Sequence, residues 1–309
     1  MWIILFRGFP LLRRNFLLAA GFYLFKLLFS LLVVLPVGVS LVNFLSQMPN
    51  ASNFLEKVDW NLLLEFFSSR TGTLGTLVVS FFLALPLVLV SYVFFLGGAI
   101  SSLNHSRGGG QYKVSGWTFF ADSARFFKPL FLLQLMLYLL YGLVATAGFF
   151  LNVGLMALLP DSLSISSRTF WGIAVFLISA LPFLFVNLTG DYAKLIAVTE
   201  DRRAAEALRA SLRYIRHNFK PTVGGYFILF AVQLFLSAVL LVAEKGLSLP
   251  SIFLGLLGQQ MASLLKSAYR VFAYGAELEI LKTLSPLPVK TVSSKVDFEA
   301  TTVKAEDEK

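Results

Sequence analysis

The sequence predicts an all-α membrane protein of six transmembrane helices, arranged as three hairpins, each preceded by a cytoplasmic interfacial helix. Three observations predict it. Of the 309 residues, 57% are hydrophobic and only 14% charged, against roughly 25% charged in a soluble domain. Six runs are long and apolar enough to cross a bilayer, which takes about 20 residues. Lys and Arg collect on alternate connections, as they do on the cytoplasmic side of membrane proteins. The chain divides into a membrane domain, 1–282, and a tail, 283–309, whose two prolines and alternating charges predict disorder.

The spans fall at about 27–45, 74–100, 132–158, 169–190, 222–243 and 247–265. The second and third lie in charge-free runs, 71–104 and 129–160, that exceed what an upright helix needs. They must tilt or reach past the hydrocarbon. Pro36, Pro86 and Pro182 stand mid-span, where each removes a backbone hydrogen bond and favours a kink. Gly142 with Gly148, and Gly255 with Gly258, predict close helix packing. Between the first two spans, Asn53 and Glu56 have capping-box spacing and Leu55, Val58, Leu62 and Phe66 share a face. This predicts a short acidic helix on the outer surface. Residues 266–282 continue the sixth helix into the cytoplasm.

Orientation follows from the cations. Segments 1–26, 101–128, 191–220 and 266–309 hold four, four, seven and seven; Lys57, Arg70, Arg168 and Lys245 are the remainder. Both termini are thereby predicted cytoplasmic. Trp2 and Trp117 fall near inner boundaries, and Trp60 and Trp171 near outer ones. No basic region precedes the first apolar residues, so a cleavable signal is not expected.

Residues 199–221 read as an amphipathic helix lying on the membrane. Arg202, Glu206, Arg209, Arg213, Arg216 and Lys220 recur on one side; Ala205, Leu208, Leu212, Ile215 and Phe219 recur on the other. Thr199 is placed to cap its start. The pattern repeats weakly. Phe127-Lys128-Pro129 echoes Phe219-Lys220-Pro221, and Arg13-Arg14-Asn15-Phe16 echoes Arg216-His217-Asn218-Phe219.

Residues 191–221 contain Ala197-Val198-Thr199-Glu200-Asp201, Ala207-Leu208-Arg209-Ala210-Ser211-Leu212-Arg213 and Asn218-Phe219. This stretch resembles a group of bacterial multi-pass membrane proteins that includes the membrane domain attached to some glycerophosphodiester phosphodiesterases. Leu212 stands where that group commonly has an aromatic. The resemblance implies a bacterial inner membrane and a domain without assigned catalysis. The phosphodiesterase activity is not implied, since no such catalytic domain is present in these residues.

Chemistry-bearing residues are sparse. There is no Cys, and His105 and His217 are the only histidines, too few for a convergent metal site or a Ser–His–Asp triad. Arg107-Gly108-Gly109-Gly110-Gln111 lacks the Gly-Lys-Ser/Thr ending of a phosphate loop and reads as a turn. No catalytic residue, metal or cofactor is expected. Arg202, Arg209, Arg213, Arg216, Lys220, Arg125 and Lys128 are the candidate lipid-headgroup ligands. Lys26 reads as a snorkelling cation at the inner edge of the first span. Asp191 and Lys194, three apart near the inner end of the fourth span, form a candidate polar pair, with Arg125 or Arg213 as further partners for Asp191. The net charge of +9 points to anionic phospholipid of the cytoplasmic leaflet rather than nucleic acid, because the cations flank apolar runs.

Two functions follow. One is a non-enzymatic scaffold or accessory subunit that binds anionic lipid and meets another envelope protein. The alternative is a transporter, or a subunit of one, for lipid or a small apolar solute. It needs Gln134, Asn152, Asn187 and Gln233 to line one cavity. The predicted topology is directly measurable in this cysteine-free chain. Single cysteines at Ser52 and Ser164 will react with an impermeant maleimide from outside, and one at Ser293 only after the membrane is opened.

Overall fold

A computed structural model describes residues 6–47, 66, 71–107, 116–158, 165–248 and 252–284. Eight helices form the described fold: α1 (Gly8–Arg14), α2 (Phe16–Leu45), α3 (Thr71–Arg107), α4 (Gly116–Leu158), α5 (Ile165–Thr199), α6 (Ala204–His217), α7 (Phe219–Ser248) and α8 (Ile252–Leu284). The acidic outer helix, the 108–111 turn, Trp2, Trp60 and the tail from 285 lie outside the described residues.

Among the described residues, five helices contain stretches long and apolar enough to cross a membrane: Phe16–Leu45, Val78–Arg107, Gly116–Leu155, Thr169–Thr199 and Phe219–Ala243. The sixth expected span falls on α8, where Gln259, Gln260 and Lys266 dilute the apolar run. The long helices have 30 to 43 residues. At 1.5 Å per residue that is about 45–65 Å, well beyond the roughly 30 Å of bilayer hydrocarbon. The surplus is used at one end.

There the end of α3, the start of α4, the end of α5, all of α6, the start of α7 and the end of α8 share a single core. Val93–Leu103, Phe126–Leu137, Leu188–Val198 and Val271–Leu281 supply most of its side chains. The opposite halves leave Val39, Phe82, Phe149, Phe170 and Val242 exposed. Exposed side chains of this kind mark a surface made for lipid. The long helices pack in a ring, α2–α3–α4–α5 on one side and α7–α8–α2 on the other, with α6 joining α5 to α7.

Proline does not break these helices. Pro36, Pro86 and Pro182 lie inside continuous helices. So does Pro129, and the segment before it is therefore the first turns of α4 rather than a separate interfacial helix. Phe126, Leu130 and Leu133 are buried on both sides of Pro129, and that packing outweighs one missing hydrogen bond.

The Asn-Phe echo has a structural counterpart. α1 stops at Asn15 (φ −115°, ψ 32°) and α6 at Asn218 (φ −113°, ψ 41°), and a long helix restarts at the next Phe in each case. Each Asn amide donates back to a carbonyl four residues earlier, Leu11 at 3.0 Å and Tyr214 at 3.4 Å. Thr199 caps nothing, because α5 runs through it. α5 ends in a Schellman closure: Asp201 takes φ 51° and the Arg202 amide reaches the Ala197 carbonyl at 3.2 Å. Arg203 takes the N-cap position of α6.

Glycines set close approaches, and a Cβ on Gly148 would meet Ser179 of α5 at ordinary contact distance, 3.5 Å. Gly142 has open space where a side chain would go, whereas a Cβ on Gly98 would lie 2.3 Å from Ser123 Oγ and 2.8 Å from the Phe119 carbonyl. Gly190 is filled in the same way by Leu137 of α4. Gly98→Leu is expected to force α3 from α4 and cost about 1–3 kcal/mol. Thermal melts in detergent will show this as a lowered Tm, with Gly142→Leu close to wild type.

Candidate functional site

α6 is built in three strips. Ala204, Ala207, Ser211, Tyr214 and Ile215 are buried against the bundle, so its docking face is shifted from the Ala205–Leu208–Leu212 stripe. The small residues let α6 sit close, and the Tyr214 hydroxyl donates to the Ile280 carbonyl of α8 at 3.0 Å. Leu212 and Phe219 stay exposed. Arg209, Arg213, Arg216 and Lys220 are exposed beside them. On α4, Trp117 and Phe120 are exposed, as is Lys128. Cations and large apolar side chains thus mix on the exposed surface of α6, the start of α7 and the first turns of α4. Two candidate headgroup ligands have protein partners: Arg125 pairs with Asp201 at 2.5 Å and Arg202 with Glu200 at 2.6 Å.

Asp191 and Lys194 meet at 3.1 Å on α5, with both side chains almost fully enclosed. Neither Arg125 nor Arg213 reaches Asp191. Arg125 is taken by Asp201, and Arg213 is on the exposed strip of α6. Asp191 does have company that sequence spacing left undetected, because it comes from other helices. It lines a chamber of about 350 Å³ between α4, α5, α7 and α8. Arg270 and Glu277 of α8 share that chamber, and Phe183, Leu184, Leu229 and Phe230 form its apolar wall.

The chamber's polar groups are ordered by tyrosines and one amide. Tyr141 donates to Asn187 Oδ1 at 3.0 Å, and Asn187 Nδ2 donates to the Tyr226 hydroxyl at 2.6 Å. That amide ties α4, α5 and α7 together. Arg270 Nη2 donates to the hydroxyls of Tyr92 (3.1 Å) and Tyr274 (3.0 Å). A guanidinium has five N–H donors, so three are unspent among the described residues. Tyr269 donates to the Leu229 carbonyl. Glu277 is 5% exposed, and its Oε2 has no hydrogen-bond partner among the described residues. Burial, and then the neighbouring Asp191 carboxylate, push the Glu277 carboxyl well above its ordinary range, against the pull of Arg270 and Lys194. Both effects favour the protonated form of Glu277. Asp191 is paired with Lys194, which leaves Arg270 as the cation of the chamber without a carboxylate partner among the described residues.

The residues singled out from sequence divide. Asn187 and Gln233 line the chamber, whereas Gln134 and Asn152 do not. Gln260 lies elsewhere and accepts from Tyr23 at 2.8 Å. Lys26 donates to Ser267 of α8 at 3.1 Å, which ties α2 to α8. Arg270, Glu277 and the tyrosines were legible as residue types but carry no local motif.

These elements fall largely within one family's territory. The chain belongs to the family described as Domain of unknown function (DUF7847), which matches residues 112–275. The match runs from the start of α4 into α8 and takes in the α6 belt and every chamber-lining residue except Glu277. No curated protein and no solved structure matches the chain.

Breaking the buried pair leaves a lone charge inside the core. Asp191→Asn and Lys194→Met are each expected to destabilise by about 3–5 kcal/mol, while the double variant Asp191→Leu/Lys194→Met recovers most of the loss. Thermal or denaturant unfolding in detergent measures the cycle.

Proposed function

We propose that this protein is a six-span cytoplasmic-membrane protein without catalytic activity, which gathers anionic phospholipid at its basic end and holds the charged head of an amphiphile in its chamber. The chamber carries the reading. Its floor offers unspent Arg270 donors and a buried Glu277 carboxyl with an unpartnered oxygen, and its wall of Phe183, Leu184, Leu229 and Phe230 suits hydrocarbon. A volume of about 350 Å³ sits within the range of small-molecule sites, roughly 300–1,000 Å³. The exposed Arg209, Arg213, Arg216 and Lys220, with Trp117, Phe120, Leu212 and Phe219 among them, support the belt. Each such cation near an anionic leaflet contributes about 1 kcal/mol.

In this reading α8 supplies the sixth span, the basic end faces the cytoplasm, and both termini lie there. The resemblance of 191–221 to bacterial multi-pass proteins supports an inner membrane. Another envelope protein could use the same belt as a landing surface, as an accessory subunit requires. A second reading, a transporter or transport subunit for lipid or a small apolar solute, is favoured by Asn187 and Gln233 at the chamber. It is opposed by Gln134 and Asn152, which do not line the chamber.

Mass spectrometry of lipid co-purifying in mild detergent tests both parts. The wild-type chain is expected to carry anionic phospholipid, Arg209→Gln/Arg213→Gln/Arg216→Gln to lose most of it, and Arg270→Gln to lose one tightly held amphiphile. Unchanged lipid in all variants would contradict the proposal.

A further inference from the structure

We propose that a second cleft, at the basic end between α1, α3 and α8, binds a phosphate-bearing anion. The cleft encloses about 480 Å³ and is separate from the chamber. Its polar lining is Arg7 and Arg14 of α1 and its entry, Asn104 and Arg107 of α3, and Glu279 and Lys282 of α8. Four cations thus face one carboxylate. That carboxylate is already committed, since Glu279 Oε1 accepts from Arg107 Nε at 2.7 Å.

The cations are held together by packing that does not depend on them. Gly8 lets α1 lie directly on α8, where a Cβ would be 2.9 Å from the Ala276 nitrogen. Ser106 donates to Asn15 Oδ1 at 3.0 Å and fixes the other end of α1 against α3. Lys282 donates to Asn104. Partial burial and the Arg107 guanidinium push the Lys282 ammonium below its ordinary value, as expected where like charges are crowded.

A structural role explains three of the four. Arg14, Arg107 and Lys282 lie in the last turns of their helices, where a cation offsets the carbonyl end. Arg7 has no such role. It is the N-cap residue of α1, where positive charge is disfavoured, and it has no acceptor among the described residues. A bound anion would supply that acceptor and relieve the crowding at Lys282. Guanidinium forks and an ammonium around an open cleft match phosphate oxygens. The phosphate can belong to a soluble compound or to a lipid headgroup.

The test uses the full chain in nonionic detergent at low salt, with inorganic pyrophosphate and dioctanoyl phosphatidic acid as calorimetric titrants. Saturable binding of at least one is expected, weakened about tenfold or more by Arg7→Gln/Lys282→Gln. Both substituted side chains are exposed, so the variant's Tm should match wild type. Binding of pyrophosphate supports the site with a soluble phosphate as its ligand; binding of phosphatidic acid alone supports it with a headgroup. No binding of either, equal binding to the double variant, or loss only in Arg270→Gln overturns the proposal. The last result would move the binding to the chamber.

Discussion

The ion pair between Lys194 and Asp191 is the contact on which the basic end depends. Both groups are enclosed, and a lone charge at that depth would cost several kcal/mol. Once they cancel, the remaining charges acquire definite roles. Arg270 becomes the cation of the chamber without a carboxylate partner among the described residues, and burial and the nearby Asp191 carboxylate favour the protonated form of Glu277. Tyr92 and Tyr274 hold the guanidinium with uncharged oxygens, so they orient it without cancelling it.

This arrangement explains the helix lengths. A bundle that only crossed a bilayer would not need helices of 37 and 43 residues. The extra turns build a water-excluding core of protein beneath the lipid-facing halves, and polar groups are buried where that core meets the apolar wall. Asn187 stitches three helices at this level, and α6 closes the end through the Tyr214–Ile280 contact. The basic belt and the chamber are thus products of one packing arrangement.

Much of this was legible in the sequence. Apolar run length located the helices, and the spacing of Asp191 and Lys194 placed them one turn apart. The Asn-Phe echo marked two real helix breaks. Where the reading failed, tertiary packing decided. A helical wheel put Ala205, Leu208, Leu212, Ile215 and Phe219 on one apolar stripe, but only Ile215 of these is buried; the bundle took Ala204, Ala207, Ser211 and Tyr214 beside it, because small residues allow a closer approach. Pro129 read as a boundary, yet buried neighbours on both sides carry the helix through it. The chamber was hidden because Arg270 and Glu277 lie some 80 residues from Asp191, and no local spacing reports a pairing across helices.

The central claim is that a carboxyl whose protonated form is favoured shares the chamber with Arg270, whose remaining donors can hold the head of an amphiphile. Dicyclohexylcarbodiimide, an apolar reagent for protonated carboxyls, tests it directly when the labelled chain is mapped by mass spectrometry. The account predicts modification at Glu277, falling as pH rises and slowed by an anionic amphiphile, with Asp191 and the exposed Glu206 unlabelled. Labelling of Asp191 in preference, or none at Glu277 at any pH, would contradict it.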